Sequence, residues 1–402
     1  MSPFLYLLAL GAFAIGMEGL MIAGLLPAIA DHLQVSLSAA SWLVICFSGT
    51  YAVAAPLAAA LSASFERRSV LITGMAVFAL GNLACAAAPD FITLIVARLV
   101  TAVAAALYMP SAMAYAGAAV PNDQRGRALG LVGGGVTASL VLGVPLGTWI
   151  GTVGNWRWPF LVVAGLAAIA IVGLITGVPR RAGGTSASIL ERLSVLKIGR
   201  IRATLAVTVL WATGAFVVFT FIAPVLAQAA GIGPDRLPPF MLAWGIAASL
   251  GSIGGGWAVD RFGARQVAIG GTVLTGLAMV VLSDMTAMPI MTIALLLVWA
   301  VAGWAVNPAQ QTRLIEAEPA VAQVSLSFHA SGIYLGSALG SMLGSVVVAY
   351  GQPARLGLVG ALCELAALSL LLLSTRRLAA VRRGGGAVGT YAAPAAARHS
   401  SE

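Results

Sequence analysis

Twelve separate runs of mainly apolar residues, each about long enough to cross a bilayer, constrain this chain more than any other feature. They lie at roughly 4–30, 41–62, 69–88, 91–118, 128–153 and 158–178, and again at roughly 204–228, 238–259, 267–284, 289–311, 323–349 and 355–375. A helix needs about 20 such residues to span hydrocarbon. In lipid a backbone must satisfy its own hydrogen bonds, and a helix does so within one segment. Only 9% of the 402 residues are charged, against about 25% in a soluble domain. That leaves too little polar surface to face water, so the chain reads as an all-α membrane protein with twelve transmembrane helices. Ser38 and Ser41 place the start of the second span near Trp42. The first run has no basic segment before it and is too long for a signal peptide, so it reads as a retained span.

Arginine and lysine set the orientation. With the N-terminus cytoplasmic, the inner loops hold Arg67, Arg68, Arg125, Arg127, the cluster from Arg180 to Arg202, Arg261, Arg265 and Arg313, and the tail adds five more. The outer loops hold only Arg157, Arg236 and Arg355. By the positive-inside rule both termini are expected in the cytoplasm. Residues 1–178 then form one six-span block, 179–203 a basic linker loop, 204–375 a second block, and 376–402 a disordered cytoplasmic tail rich in Gly, Ala and Arg.

Other classes fit poorly. The net charge of +9 falls in short clusters between apolar runs, with no basic face and no aromatic interleaving, which excludes a nucleic-acid partner. Cys46, Cys85 and Cys363 sit far apart inside apolar runs and offer neither metal spacing nor a disulfide framework. No G-x-x-x-x-G-K loop occurs, which disfavours ATP-driven chemistry. No His, Asp or Glu constellation gathers near one membrane face, so an enzyme is not expected, nor any metal or cofactor.

Two loops about 197 residues apart look alike. The second runs from Gly256 through Asp260, Arg261 and Gly263 to Arg265, and the first from Ala60 through Glu66, Arg67 and Arg68. The second matches the G-x-x-x-D-R-x-G-x-R signature of the major facilitator superfamily, and the chain resembles that family over most of its length. Glu18 with Gly24, Pro27 and Ala28 resembles the first span of its drug:proton antiporters and arabinose-type exporters. Pro121 to Ala128 resembles their loop between spans four and five. Gly134, Gly143, Pro145 and Gly147 resemble the antiporter motif of span five, with G-x-P-x-G in place of an adjacent Gly-Pro. The first loop departs from the pattern: Ala63 stands at the family's acid and Glu66 at its glycine. The resemblance implies two pseudo-symmetric six-helix bundles around a midplane site.

Glu18, Arg98 and Glu364 are ionisable and well inside spans, with His329 a fourth titratable group. A charged group at mid-span costs about 2.5–3.5 kcal/mol, so each must face a wet cavity, find a partner or become neutral. Burial favours the neutral form of a carboxylate, so such an acid can load a proton from one side and release it to the other. The resemblance places the coupling acid at Glu18 and a modulating arginine at Arg98; a structural carboxylate and a fixed ion pair are the plainer alternatives. Glu364, in a span expected at the periphery, reads as a lipid-facing acid, a subunit contact or a functional group. His329 reads as hydrogen-bonded to a nearby serine such as Ser325, or as a titrating group.

Asp260, Arg261 and Arg265 are expected to form a cytoplasmic gate that pairs when the inner side shuts, or else to serve only as topogenic charge. Glycines recur every four residues at Gly143–Gly151, Gly251–Gly255 and Gly332–Gly344, and the resemblance puts these spans at the seam between halves. Substrate-cavity candidates are Met17, Met21, Tyr51, Tyr108, Met109, Met113, Phe216, Phe219, Trp299, Trp304, Asn307 and Gln311. Soft Met and flat aromatic surfaces suit varied apolar ligands, though any one of them also serves as ordinary helix packing. The resulting expectation is a monomeric bacterial inner-membrane exporter. It would exchange a small, partly hydrophobic compound, such as a chloramphenicol-like antibiotic, for protons by alternating access. An exporter of sugars or nucleosides on the same fold is the alternative.

Overall fold

Each apolar run becomes a helix because its interior has no other way to satisfy its backbone in lipid. The computed structural model describes residues 3–183, 189–284 and 289–383. The first half contains α1 (Phe4–His32), a short α2 (Leu37–Ala40) leading into α3 (Trp42–Leu61), α4 (Arg67–Ala87), α5 (Phe91–Ala118), α6 (Arg125–Ala138), α7 (Val144–Val153) and α8 (Trp158–Gly177). The second half follows a short α9 (Ile189–Ser194). It contains α10 (Gly199–Phe219), α11 (Ile222–Ala230), α12 (Leu237–Phe262), α13 (Ala264–Asp284), α14 (Pro289–Ala317), α15 (Ala322–Ala349) and α16 (Leu356–Arg383). Among the described residues there is no strand. Twelve helical segments are long and apolar enough to cross a membrane, and side chains such as Leu80, Ile92, Ile253 and Ile290 are exposed on their outer faces.

Side-chain caps fix the starts of α2, α4 and α5. Ser36 accepts from the Ala39 N–H at 3.0 Å ahead of α2. Asp90 does the same for α5, its Oδ1 taking the Thr93 N–H at 2.8 Å and its Oδ2 the Thr93 hydroxyl at 3.1 Å. The backbone bond and then the hydroxyl hold the Asp90 carboxyl below its ordinary value of 3.8. A depressed carboxylate contributes stability above its unfolded-state pKa and loses it as pH falls through the folded one. Asp90→Ala is therefore expected to lower the melting temperature at neutral pH, with the gap to the native protein closing as pH falls below the ordinary aspartate range. Asp90→Asn, which keeps the acceptor, should track the native protein at neutral pH; thermal melts across pH read both. At the other kind of end, Gly263 stops α12 with φ +88, a conformation that side-chain-bearing residues adopt only under strain.

Three boundaries differ from the sequence reading. The seventh span begins at Gly199 and breaks after Phe219 instead of running unbroken over 204–228; Phe221 turns the chain under Gly344 of α15 before α11 resumes. The fifth span contains a wide π turn at Ser139–Gly143, between α6 and α7. The last helix continues past residue 375 to Arg383, where a disordered tail was expected; positions 184–188, 285–288 and 384–402 lie outside the described residues.

The six spans of each half pack on one another, and the halves meet along two seams, α3 against α15 and α7 against α12. These are the spans expected at the seam, but their glycine rows face neighbours within each bundle. Gly143 and Gly147 seat Met17 and Met21 of α1, and Gly151 seats Leu25. In the second half Gly336, Gly340 and Gly344 seat α10 at Ala212, Thr213 and Val217, and Gly344 also meets Phe221 in the break after α10. Each of these glycines lies 193 positions after its counterpart (Gly143 and Gly336, Gly147 and Gly340, Gly151 and Gly344), so the same joint is built twice. Gly251 and Gly255 pack on Val301 and Ala305 of α14. Small residues thus serve close helix packing within each bundle.

Hydrogen bonds that join the bundles lie at the end remote from the chain termini. Ser38 meets Ser345 at 2.7 Å and Ser48 meets Ser337 at 3.0 Å, while the Tyr51 and Tyr334 rings stack at 3.8 Å. On the second seam Gly245 of α12 lies directly against the Leu140 carbonyl in the π turn. The bundles are closed together at the remote end.

Candidate functional site

Three helices of the first half bring a fully buried acid and base together. Glu18 comes from the middle of α1, Arg98 from α5, and Thr101 stands one turn further along the same face of α5. Arg98 donates through Nη1 to Glu18 Oε1, and the Thr101 hydroxyl donates to that same oxygen at 3.1 Å. Arg98 Nε donates to the Leu43 carbonyl of α3 at 3.3 Å, and its guanidinium lies 4.2 Å over the Phe47 ring. The second carboxylate oxygen, Oε2, and Arg98 Nη2 are buried with no partner among the described residues.

This arrangement has a chemical consequence. Oε2 keeps its lone pairs free, so a proton can add there without first breaking a bond. Protonation would remove the negative charge that Arg98 faces and leave the guanidinium held by Leu43, by the Glu18 carbonyl and by Phe47. Removing one member of a buried pair costs about 3–5 kcal/mol when the other is stranded; these neutral partners reduce that cost for Arg98.

Phe47 carries the site toward the seam. Its ring lies 6.5 Å from Tyr51 and 6.3 Å from Tyr334, so Arg98, Phe47 and the stacked tyrosines form one continuous contact from the first half into α15. Thr101, Phe47 and Tyr334 were not singled out from sequence. Thr101 was findable, being three residues from Arg98 on a helix; aromatic residues are too common in spans to stand out.

The cavity candidates divide. Met17 and Met21 are fully buried in the glycine joint with α7, and Tyr108 is buried with its hydroxyl on the Leu8 carbonyl at 3.1 Å, so these three serve packing inside the first bundle. Tyr51 belongs to the seam. Phe219 is buried against Trp244 at 4.6 Å, with Trp299 and Trp304 beyond Trp244 at 6.0 and 6.4 Å. Met109, Met113, Phe216, Trp304, Asn307 and Gln311 keep part of their surface exposed.

His329 does not pair with Ser325, whose hydroxyl turns back to the Val321 carbonyl at 3.1 Å. Its Nε2 meets Asn307 Oδ1 at 2.8 Å and its Nδ1 the Thr208 hydroxyl at 3.2 Å. Glu364 is neither lipid-facing nor at a subunit surface. It is buried beside Gly214 of α10 and Gly276 of α13, where the missing side chains leave it room. Asp260, Arg261 and Arg265 are exposed, and among the described residues no ion pair joins them. In the first loop Glu66 caps α4, accepting the Arg68 and Ser69 N–H groups at 3.2 Å, and the Ser69 hydroxyl and these bonds hold its carboxyl below the usual range. Gly134 has open space where a side chain would stand, whereas Pro145 is buried in the first turn of α7 between Gly143 and Gly147.

The sequence profile of the Major Facilitator Superfamily matches residues 8–316. The inner membrane transport protein YdhP of Escherichia coli K12 is 32% identical over 377 residues, covering 92% of this chain and 95% of that protein. A chloramphenicol resistance protein of Streptomyces lividans is 30% identical over 374 residues, covering 92% and 94%. Among solved structures, a bacterial homologue of the human lysosomal transporter Spinster, inward-facing and unoccupied, superposes with a TM-score of 0.74 over 94% of this chain and 98% of its own, at 17% identity. That last likeness is one of fold.

Proposed function

This chain belongs to the Major Facilitator Superfamily, and from that premise we propose that it exports a small, partly hydrophobic compound in exchange for protons. As a member of that family it is a twelve-span membrane transporter and not an enzyme. The observation that carries the proton-coupled reading is the buried Glu18–Arg98 pair with a free carboxylate oxygen at mid-span. Glu18 is the proton carrier, and Arg98 holds it ionised until a proton or the cargo competes. The cargo class draws support from the chloramphenicol resistance protein and from the aromatic and Met surface of Phe216, Trp304, Met109 and Met113. Neutral cargo suits this charge balance, because protonated Glu18 leaves Arg98 as a net positive charge.

In this reading the protein is a monomer in the bacterial inner membrane with both termini cytoplasmic, as the arginine distribution and the YdhP relative support. Residues 1–178 and 204–375 are the two rocking units and 179–203 their linker. Closure of the remote end is then closure toward the outside, and the exposed Asp260, Arg261 and Arg265 are a gate in its open position. Proton release from acid-loaded inverted vesicles, with antibiotics, sugars and nucleosides added in turn, tests the assignment. Chloramphenicol-type compounds are expected to collapse the gradient; a gradient that none of the panel disturbs would sink it.

A further inference from the structure

The second half carries a polar pair whose chemistry narrows the cargo. Asn307 and Gln311 stand four residues apart on one face of α14, both partly exposed, beside the half-buried Trp304. Asn307 Oδ1 accepts twice, from His329 Nε2 at 2.8 Å and from Gln311 Nε2 at 3.2 Å. A carbonyl oxygen only accepts, so both nitrogens must donate. Three consequences follow. The Asn307 amide is fixed in one orientation, with its Nδ2 hydrogens directed away from His329. His329 carries a proton on Nε2, and its Nδ1 lies 3.2 Å from the Thr208 hydroxyl, which also reaches the Thr204 carbonyl at 3.1 Å. Gln311, with its nitrogen committed, presents Oε1 as an acceptor.

Among the described residues Asn307 Nδ2 and Gln311 Oε1 have no partner, and neither atom is sealed in the core. Pro308 follows Asn307 directly and has no N–H, so the Trp304 carbonyl one turn earlier also loses its helical donor. One donor and an acceptor thus sit side by side, with Trp304 three residues before Asn307 on the same helix, held by a buried histidine. An alcohol satisfies both at once, its oxygen accepting from Asn307 and its hydrogen going to Gln311. A carboxylate would meet the Gln311 oxygen with repulsion, and an ammonium group would meet the Asn307 hydrogens.

We propose that Asn307 and Gln311 form a hydroxyl-recognising subsite for the cargo, with His329 as its positioning residue. The inference rests on the reading of this chain as an exporter of small molecules. The alcohol group itself could belong to an amphenicol antibiotic or to a sugar.

The test measures dissociation constants on the full chain in nanodiscs for thiamphenicol, for florfenicol, in which fluorine replaces the terminal hydroxyl, and for isopropyl thiogalactoside. The native protein is expected to bind thiamphenicol about five- to tenfold tighter than florfenicol, the scale of one net hydrogen bond. Asn307→Leu and His329→Leu should bring that ratio to about one. His329→Gln should restore it, because the glutamine Nε2 can donate where the imidazole did; a histidine that merely filled space would not be rescued in this way. If only the thiogalactoside binds and both leucine variants weaken it, the hydroxyl subsite stands and the amphenicol reading falls. Equal binding of the two amphenicols by the native protein, affinities indifferent to both leucine variants, or binding of none of the three compounds would overturn the inference.

Discussion

Glu18→Gln is expected to abolish cargo-driven proton release while leaving cargo-for-cargo exchange running. The substitution keeps the shape of the side chain and an oxygen that still accepts from Arg98 and Thr101, but it removes the site where a proton binds. A charged partner stranded in a core costs several kcal/mol. Arg98, however, retains the Leu43 carbonyl at 3.3 Å and the Phe47 face at 4.2 Å, so the variant should fold. It also imitates the protonated state that a proton-coupled carrier visits in every cycle. Efflux against a gradient should therefore fall to background in vesicles energised by a pH gradient. Counterflow of labelled cargo against unlabelled cargo, which needs no net proton movement, should continue at a comparable rate. If both processes stop together, Glu18 holds the fold or binds cargo and is not the proton carrier. If both continue, the coupling acid lies elsewhere.

How far this site was legible in the sequence depended on which residues are rare in a membrane. Glu18 and Arg98 stood out because a charge in an apolar run is costly and needs a reason. Their meeting was suggested only by the resemblance and by their similar depth, since 80 residues separate them and nothing in either span names its partner. The polar and aromatic members were quieter still: Thr101 and Phe47 are ordinary span residues until the ion pair is placed between them. The glycine rows were visible as a four-residue period, but a period reports a smooth face and not what lies on it. The seam-lining reading came from the resemblance, whereas Met17, Met21 and Leu25 fill the row in span five. The surroundings of Glu364 were hidden for a related reason. Its pocket is made by Gly214 and Gly276, glycines of two other helices whose absence of side chains cannot be matched to an acid far along the chain. The twelve spans themselves were plain because length and apolarity are local properties. The break at Phe219 was hidden because Thr220 and Phe221 are as compatible with a helix as with a turn.

The largest mechanical effect is expected at Gly245. Its α-carbon faces the Leu140 carbonyl, which the π turn at Ser139–Gly143 brings into close approach, and a β-carbon there would fall on backbone atoms of α12's partner. A side-chain neighbour can rotate aside, but a backbone carbonyl cannot without moving its helix. Overpacking of this kind costs about 1–3 kcal/mol or more. The cost applies only when the remote end is closed, because the seam parts when that end opens. Gly245→Val should therefore shift the population away from the closed state, by about tenfold for each 1.4 kcal/mol. The Ser38 and Ser345 hydroxyls, 2.7 Å apart across the other seam, report that state. With Cys46, Cys85 and Cys363 replaced, cross-linking of Ser38→Cys to Ser345→Cys should be efficient in the native background. It should fall about tenfold or more with Gly245→Val, and less with Gly245→Ala. Gly254→Ala, on the same helix with open space around it, should leave cross-linking unchanged. Active export should fall with the cross-link, since a carrier that cannot close one end leaks instead of alternating. Undiminished cross-linking in Gly245→Val would mean that α7 and α12 slide past each other freely. The closed end would then be held by the α3–α15 contacts alone.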